Sequence, residues 1–220
     1  MINLVIKDFL LQKKYFLFFL VYGVLIAFSA GRVSEITASF LYVFYLITVT
    51  YISIMYANGF ETRGKSETML VSLPINRNTV VASKYLFLLV MIIMYSIALW
   101  IFTFLVRIAD YKVMAIFNLK LIIIAFIIIG IAFAIYYPLY FKLGRQKLRI
   151  VTMFFYLLLF TSPKLCEKFA ESYRIERLKR IVPIVENNIL LVTIIMILIT
   201  MLIMFISLNV SIGIYNKKEL

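Results

Sequence analysis

Six stretches of the chain are apolar all round rather than along one stripe: 15–30, 36–57, 80–106, 117–140, 150–162 and 189–214. A helix rises about 1.5 Å per residue, and a bilayer core is about 30 Å thick, so about 20 residues cross it. The runs at 36–57, 80–106, 117–140 and 189–214 have that length. The run at 15–30 attains it when extended back toward Leu10, with Lys13 and Lys14 stretching to the headgroups. Residues 1–14 predict a short amphipathic helix at the membrane interface. Leu4, Phe9 and Leu10, with Val5, share one face of it; Lys7, Asp8, Lys13 and Lys14 lie near the other. Basic residues before an apolar run also suit a signal peptide. The remainder of the chain is equally apolar, which favours a retained helix.

The run at 150–162 is shorter and ends at Pro163. It covers roughly 20 Å, too little for a full crossing. Either the helix kinks at Pro163 and continues, or the chain turns back within the outer leaflet, where its backbone must be covered by protein. The fold class expected is all-α: a polytopic membrane protein with six transmembrane helices in a single domain over 1–220.

Composition supports this. Apolar residues make up 65% of the chain and aromatic residues 16%. Charged residues are 15%, against about 25% in soluble domains. Such a chain cannot cover a core with polar surface, so soluble enzymes and soluble nucleic-acid binders are excluded. Histidine is absent, which removes histidine–zinc sites, a Ser-His-Asp triad and histidine proton relays. Cys166 is the lone cysteine, so no intrachain disulfide or cysteine cluster can form. No metal site and no nucleic-acid partner is expected. The net charge of +13 fits the rule that basic residues collect on the cytoplasmic side. With both termini inside, 13 of the 23 Lys and Arg residues fall on inner segments. The short segment 142–149 holds Lys142, Arg145, Lys147 and Arg149 without an acid. The short outer segment 31–35 balances Arg32 with Glu35. Six further basic residues lie in the long outer loop 164–188, where Glu167, Glu171, Glu176 and Glu186 offset four of them. Lys84, Arg107 and Lys120 lie near span ends and are expected to snorkel to the interface. Ser29, Ser53, Ser96, Thr103, Thr152 and Asn209 are expected to bond between helices.

Two inner segments carry more than charge. Segment 58–79 is too polar for the bilayer and too long for a turn. A short helix is expected from Glu61 to Leu73, with Met69, Leu70 and Leu73 on one side and Glu61, Arg63, Lys65 and Glu67 kept wet. Pro74 stops it, and Asn76 to Thr79 cap the next span. Such a helix could lie on the membrane or dock into a groove on a soluble partner. Segment 136–150 carries Pro138 near the inner end of the fourth span and Gly144 at the turn.

The pattern E-x-x-x-K-x-E-T-x-L-x-S-L-P-x-x-R at 61–77, with Lys84 and Tyr85 after it, resembles the cytoplasmic signature of bacterial type-2 ATP-binding-cassette permeases. YPLYFKLG at 137–144 resembles their second signature. The nearest subgroup is the small six-span permeases of Firmicutes, which includes the permeases of the staphylococcal phenol-soluble-modulin exporter. The resemblance implies a multi-pass permease of the bacterial cell membrane, with re-entrant helices before the last span. It also implies a separate ATPase in two copies, and a second permease chain, identical or paralogous. The chain lacks a Walker motif, so ATP and magnesium would bind the ATPase, and the chain itself is not an enzyme. The helix at 61–73 would then be a coupling helix. Leu70, Leu73 and Pro74 would anchor it, and Glu61, Arg63, Lys65, Glu67 and Arg77 would orient it; Pro138, Gly144 and Pro163 would be structural hinges. A weakly polar, aromatic interior suits export of an amphipathic peptide or lipid-like cargo. The alternatives are the substrate-binding membrane subunit of a vitamin importer, which the length of segment 58–79 disfavours, and a non-transporting sensor or immunity protein. A membrane enzyme is disfavoured by the missing histidine and the lack of acidic pairs in the spans.

Overall fold

The computed structural model describes residues 2–63, 76–109, 117–144 and 188–217. All regular structure among them is helical. We number the helices α1 (Ile2–Leu11), α2 (Lys13–Ala30), α3 (Glu35–Arg63), α4 (Arg77–Ile108), α5 (Leu119–Gly144) and α6 (Ile189–Asn216). Four of these, α3 to α6, are long and apolar enough to cross a membrane by themselves. The α1–α2 pair makes a fifth if its two parts count as one bent span. The short run at 150–162, Pro163 and the outer loop 164–188 lie outside the described residues.

Helix boundaries follow local chemistry. Ser34 Oγ meets Thr37 Oγ1 at 2.9 Å, and the Ser34 carbonyl accepts from Ala38 N–H at 2.9 Å, so α3 begins there. Asn76 is extended, and its side chain accepts from Asn78 N–H at the start of α4. Gly144 ends α5 at φ +71°, in the region where a Cβ is strained. The expected end of the second span at residue 57 moves outward. Helix α3 runs on through Arg63, because nothing from Asn58 to Arg63 forbids helical backbone. Glu61 and Arg63 therefore belong to the last turns of α3 rather than opening a separate helix.

The joint between α1 and α2 is Gln12, where the axis turns by 73°. Its backbone carbonyl restarts the helix by accepting from Tyr15 and Phe16 N–H at 2.9 and 3.1 Å. From that joint α2 runs alongside α4: Phe16 and Phe19 both pack on Tyr95. Helix α3 crosses the same groove. Tyr45 donates to the Phe19 carbonyl at 3.1 Å, and Ser53 meets Tyr95 Oη at 2.7 Å. The contact between α2 and α3 is close because Gly23 sits under Tyr45; a Cβ there would lie 2.7 Å from the Tyr45 hydroxyl. Gly130 does the same between α5 and α6, where a Cβ would lie 2.7 Å from Thr200 Cγ2. Small residues at such crossings let helices approach without a water-driven force between them.

Large apolar side chains cover the outside. Leu190, Leu198, Leu202 and Phe205 project from α6, and Trp100 and Phe104 stack outward on α4. In water such a surface would be an aggregation hazard; around a span it faces lipid. Of the expected interhelical bonders, Ser53 acts as such. Ser29 and Thr103 bond carbonyls of their own helices, and Asn209 is exposed. Ser96 is buried without a hydrogen-bond partner among the described residues. Thr152 lies outside them.

Candidate force-transfer site at one end of the bundle

The described helix ends that flank the inner segments expected from charge meet at a single end of the bundle. The N-terminal end of α4 touches the C-terminal end of α6: Arg77 Nη1 donates to the Asn216 carbonyl at 3.3 Å, and Asn216 Nδ2 donates to Asn78 Oδ1 at 3.0 Å. Phe141, near the end of α5, packs edge-on against Tyr215 of α6. Antiparallel connection puts the end of α3 here as well: Tyr56 stacks on Tyr15 just past the α1–α2 joint, with ring centroids 4.2 Å apart. Of the residues singled out in the sequence, Arg77, Pro138 and Gly144 sit at this end. Lys65, Glu67, Leu70, Leu73 and Pro74 lie outside the described residues.

The core of this end is a group of aromatic rings. Phe133, Tyr136, Tyr137, Tyr140 and Phe141 of α5 pack on one another, and Tyr137 lies 4.6 Å from the Tyr85 ring of α4. Polar atoms are threaded through it in a definite order. Pro138 has no N–H, so it leaves the carbonyl four residues earlier, at Ala134, without its helical donor. Ser207 of α6 supplies one, donating to the Ala134 carbonyl at 2.6 Å. A serine has a single hydroxyl proton, so Ser207 must accept from Tyr85, whose hydroxyl is 2.7 Å away. Tyr85 then accepts from Ser211 at 2.9 Å. The proline therefore creates an acceptor that ties α5 to α6. The helix runs on past it for a further turn and a half to Gly144.

The strongest electrostatic feature was missed in the sequence. Lys84 is not at the surface: its ammonium lies 2.8 Å from Asp8 Oδ2, and the two side chains are 4% and 1% exposed. This corrects two expectations at once. Lys84 does not snorkel, and Asp8 is not on a wet face of α1. Lys7 Nζ is 3.4 Å from the other Asp8 oxygen. The inward face of α1 is Val5, Asp8 and Gln12, while Ile2, Ile6 and Leu10 point out. Gln12 is fully buried, and its Nε2 donates to Met91 Sδ at 3.4 Å. Helix α1 thus departs from the expected sorting at Asp8, which turns inward, and Leu10, which turns out, while Leu4, Val5 and Phe9 pack on the core. The available signal was a lone acid and a lone base, each set in an apolar stretch; charges so placed pair with one another. Arg107 and Lys120 are exposed at span ends, as expected.

Lys84 is a junction. Its side chain holds α1, and its backbone carbonyl accepts from the Tyr137 hydroxyl of α5 at 2.9 Å. Its neighbour Tyr85 holds α6. Removing one member of a buried pair leaves an uncompensated charge, at a cost of about 3–5 kcal/mol in proteins where it has been measured. Among the described residues no three Cys, Asp or Glu side chains converge on a metal-sized site. The arrangement offers stiffness, since its described polar side chains are engaged in bonds between helices. A displacement applied just before residue 76 enters α4 within three turns of its bonds to α1, α5 and α6.

No curated protein and no solved structure matches the chain. Residues 3–216 match the family described as ABC-2 family transporter protein. This match spans every described helix and the segments between them. The chain belongs to the ABC-2 family of transporter proteins, the membrane component of ATP-binding-cassette systems.

Proposed function

We propose that the chain is the permease subunit of an ATP-driven exporter whose cargo is an amphipathic peptide or a lipid-like molecule. Membership of the family implies an ATP-binding-cassette ATPase partner. In this reading two ATPase copies bind the end of the bundle where α3, α4, α5 and α6 meet, and bind ATP and magnesium themselves. Two permease chains, identical or paralogous, form the pathway. The coupling element lies between α3 and α4, in the segment that follows Arg63 and carries Leu70, Leu73 and Pro74, and that end faces the cytoplasm with both termini.

The observation that carries the reading is the convergence of α1, the start of α4, the end of α5 and the end of α6 on one bolted junction. A force-receiving element needs such a footing, since a loosely attached segment would absorb displacement instead of passing it on. Cargo class is supported by chemistry alone. The described interior is aromatic and hydroxyl-lined, and its buried charges neutralise each other, which suits an amphipath better than a free ion.

The test is expression of the tagged chain in its native host, followed by affinity capture from detergent and identification of any ATP-binding-cassette ATPase recovered with it. Recovery of the ATPase with the chain, and vanadate-sensitive ATP hydrolysis by the pair, is the expected result. Capture of the folded chain without any ATPase would refute the reading.

A further inference from the structure

Helix α1 is held differently from its neighbours. Inside the bundle, helices α5 and α6 join α4 through neutral hydrogen bonds set among aromatic rings, and the charged Arg77 reaches α6 only at the exposed end. Helix α1 has ten residues, turns 73° away from α2, and directs Ile2, Ile6 and Leu10 outward. Its buried side chains are Val5 and the Asp8 carboxylate, with Gln12 at the joint and Leu4 and Phe9 packing partly against the core. The carboxylate is paired with Lys84 out of water, where two charges suffer a desolvation penalty that apolar side chains of the same size would not. Such a pair is a poor choice for adhesion alone. The best-attested use of buried polar partners is to fix one register among several of similar packing energy.

The mechanical setting gives register a consequence. Lys84 is the eighth residue of α4, whose first turn follows directly on segment 64–75. Gln12, one turn beyond Asp8, is the joint from which α2 starts, and it also touches α4 at Met91. A rigid α1 pinned at Asp8 would carry a shift of the α4 foot to the start of α2. Without the pair, α1 keeps only the apolar contacts of Leu4, Val5 and Phe9 and the Gln12 amide, and apolar contacts do not by themselves fix a register.

We propose that Asp8 and Lys84 are a positioning pair: they lock α1 in register with the foot of α4, so that α1 travels with α4 and passes its displacement to α2. This rests on the functional reading above, in which an ATPase displaces the segment before α4.

The experiment measures distances in the permease–ATPase complex, in nanodiscs of phosphatidylethanolamine and phosphatidylglycerol, with Cys166 replaced by Ser. Spin labels at the exposed positions Ile6 and Leu86 report α1 against α4; labels at Leu86 and Phe40 report α4 against α3. Each pair is measured without nucleotide and with trapped ATP–vanadate. The expected result is a Leu86–Phe40 shift on the order of a few ångströms, the scale of helix movements in switching proteins, with the Ile6–Leu86 distance constant. In Asp8→Leu/Lys84→Met, which removes both buried charges and leaves Lys7 able to reach water, the Ile6–Leu86 distance should broaden and change between states. Lys84→Arg, which keeps the charge, should retain the constancy. A constant distance in the apolar double variant would reduce the pair to adhesion and overturn the proposal. So would a changing Ile6–Leu86 distance in the unsubstituted protein. If no ATPase binds, or α4 does not shift, the functional reading fails and takes this inference with it. If both hold and α1 moves independently, this inference alone fails.

Discussion

Replacing Ser207 with Ala should cost more than an ordinary interhelical hydroxyl, and Pro138 is the reason. Ser207 donates at 2.6 Å to the Ala134 carbonyl, which has no helical donor because residue 138 is a proline. Interhelical bonds in membranes average about 0.6 kcal/mol, with a maximum near 1.7. A buried acceptor left with no partner costs about 1–3 kcal/mol. Tyr85 can turn its proton to Ser211 when Ser207 is lost, so little is added from that side. Ser207→Ala should therefore destabilise by about 1–2 kcal/mol. In a Pro138→Ala background the new N–H serves the Ala134 carbonyl, and the same substitution should cost only about 0.6 kcal/mol. The double-mutant cycle then shows a coupling of about 1 kcal/mol between residues on different helices. Equilibrium unfolding in mixed micelles, followed by the single tryptophan, Trp100, and by helical circular dichroism, measures all four corners. Additive corners, agreeing within about 0.3–0.5 kcal/mol, would refute the claim that the proline creates the acceptor Ser207 fills.

Other expectations follow from close contacts and topology. Gly23→Ala should lower the melting temperature, because its Cβ would fall 2.7 Å from the Tyr45 hydroxyl, and Tyr45→Phe should recover part of the loss. Gly130→Ala should act likewise against Thr200 Cγ2, with Thr200→Ser giving relief, since it removes that methyl and keeps the hydroxyl bonded to the Met196 carbonyl. Cysteines placed at Ser66 and Gln146, in a Cys166→Ser background, should react with an impermeant thiol reagent only in inside-out vesicles; labelling of intact cells would reverse the proposed topology.

Much of the fold was legible because lipid writes a coarse signal. A run of apolar residues long enough to span has one good solution for its backbone, and α3 to α6 follow their runs closely. The end of α3 was misread because polarity was taken as a boundary. Helical backbone tolerates the polar residues from Asn58 to Arg63 once the chain leaves the core. Helix α1 was misread for a related reason. Its faces were sorted as those of a helix lying in the membrane interface with its charges in water, whereas Asp8 turns inward to Lys84 and Ile2, Ile6 and Leu10 turn outward. Lys84 followed from the same error, since snorkelling is the default for a lysine whose partner is unknown, and nothing local links positions 8 and 84. Pro138 was recognised as unusual. What it does depends on Ser207, 69 positions later, and a carbonyl freed by proline leaves no mark on the sequence beyond the proline itself. The anchor residues Leu70, Leu73 and Pro74 rest on the resemblance of the 61–77 pattern to a family signature, and the match of residues 3–216 supports the family to which that signature points.

The central claim is that force enters through the polar segment between α3 and α4. Its most direct test is the exchanged variant Lys65→Glu/Glu67→Lys, co-purified with the ATPase and reconstituted in nanodiscs. Retention of the ATPase and the nucleotide-driven Leu86–Phe40 distance change are read side by side with the unsubstituted complex. The account predicts that the ATPase is lost, or that it stays and hydrolyses ATP while the distance no longer responds. A variant that keeps both its ATPase and the full distance change would contradict it.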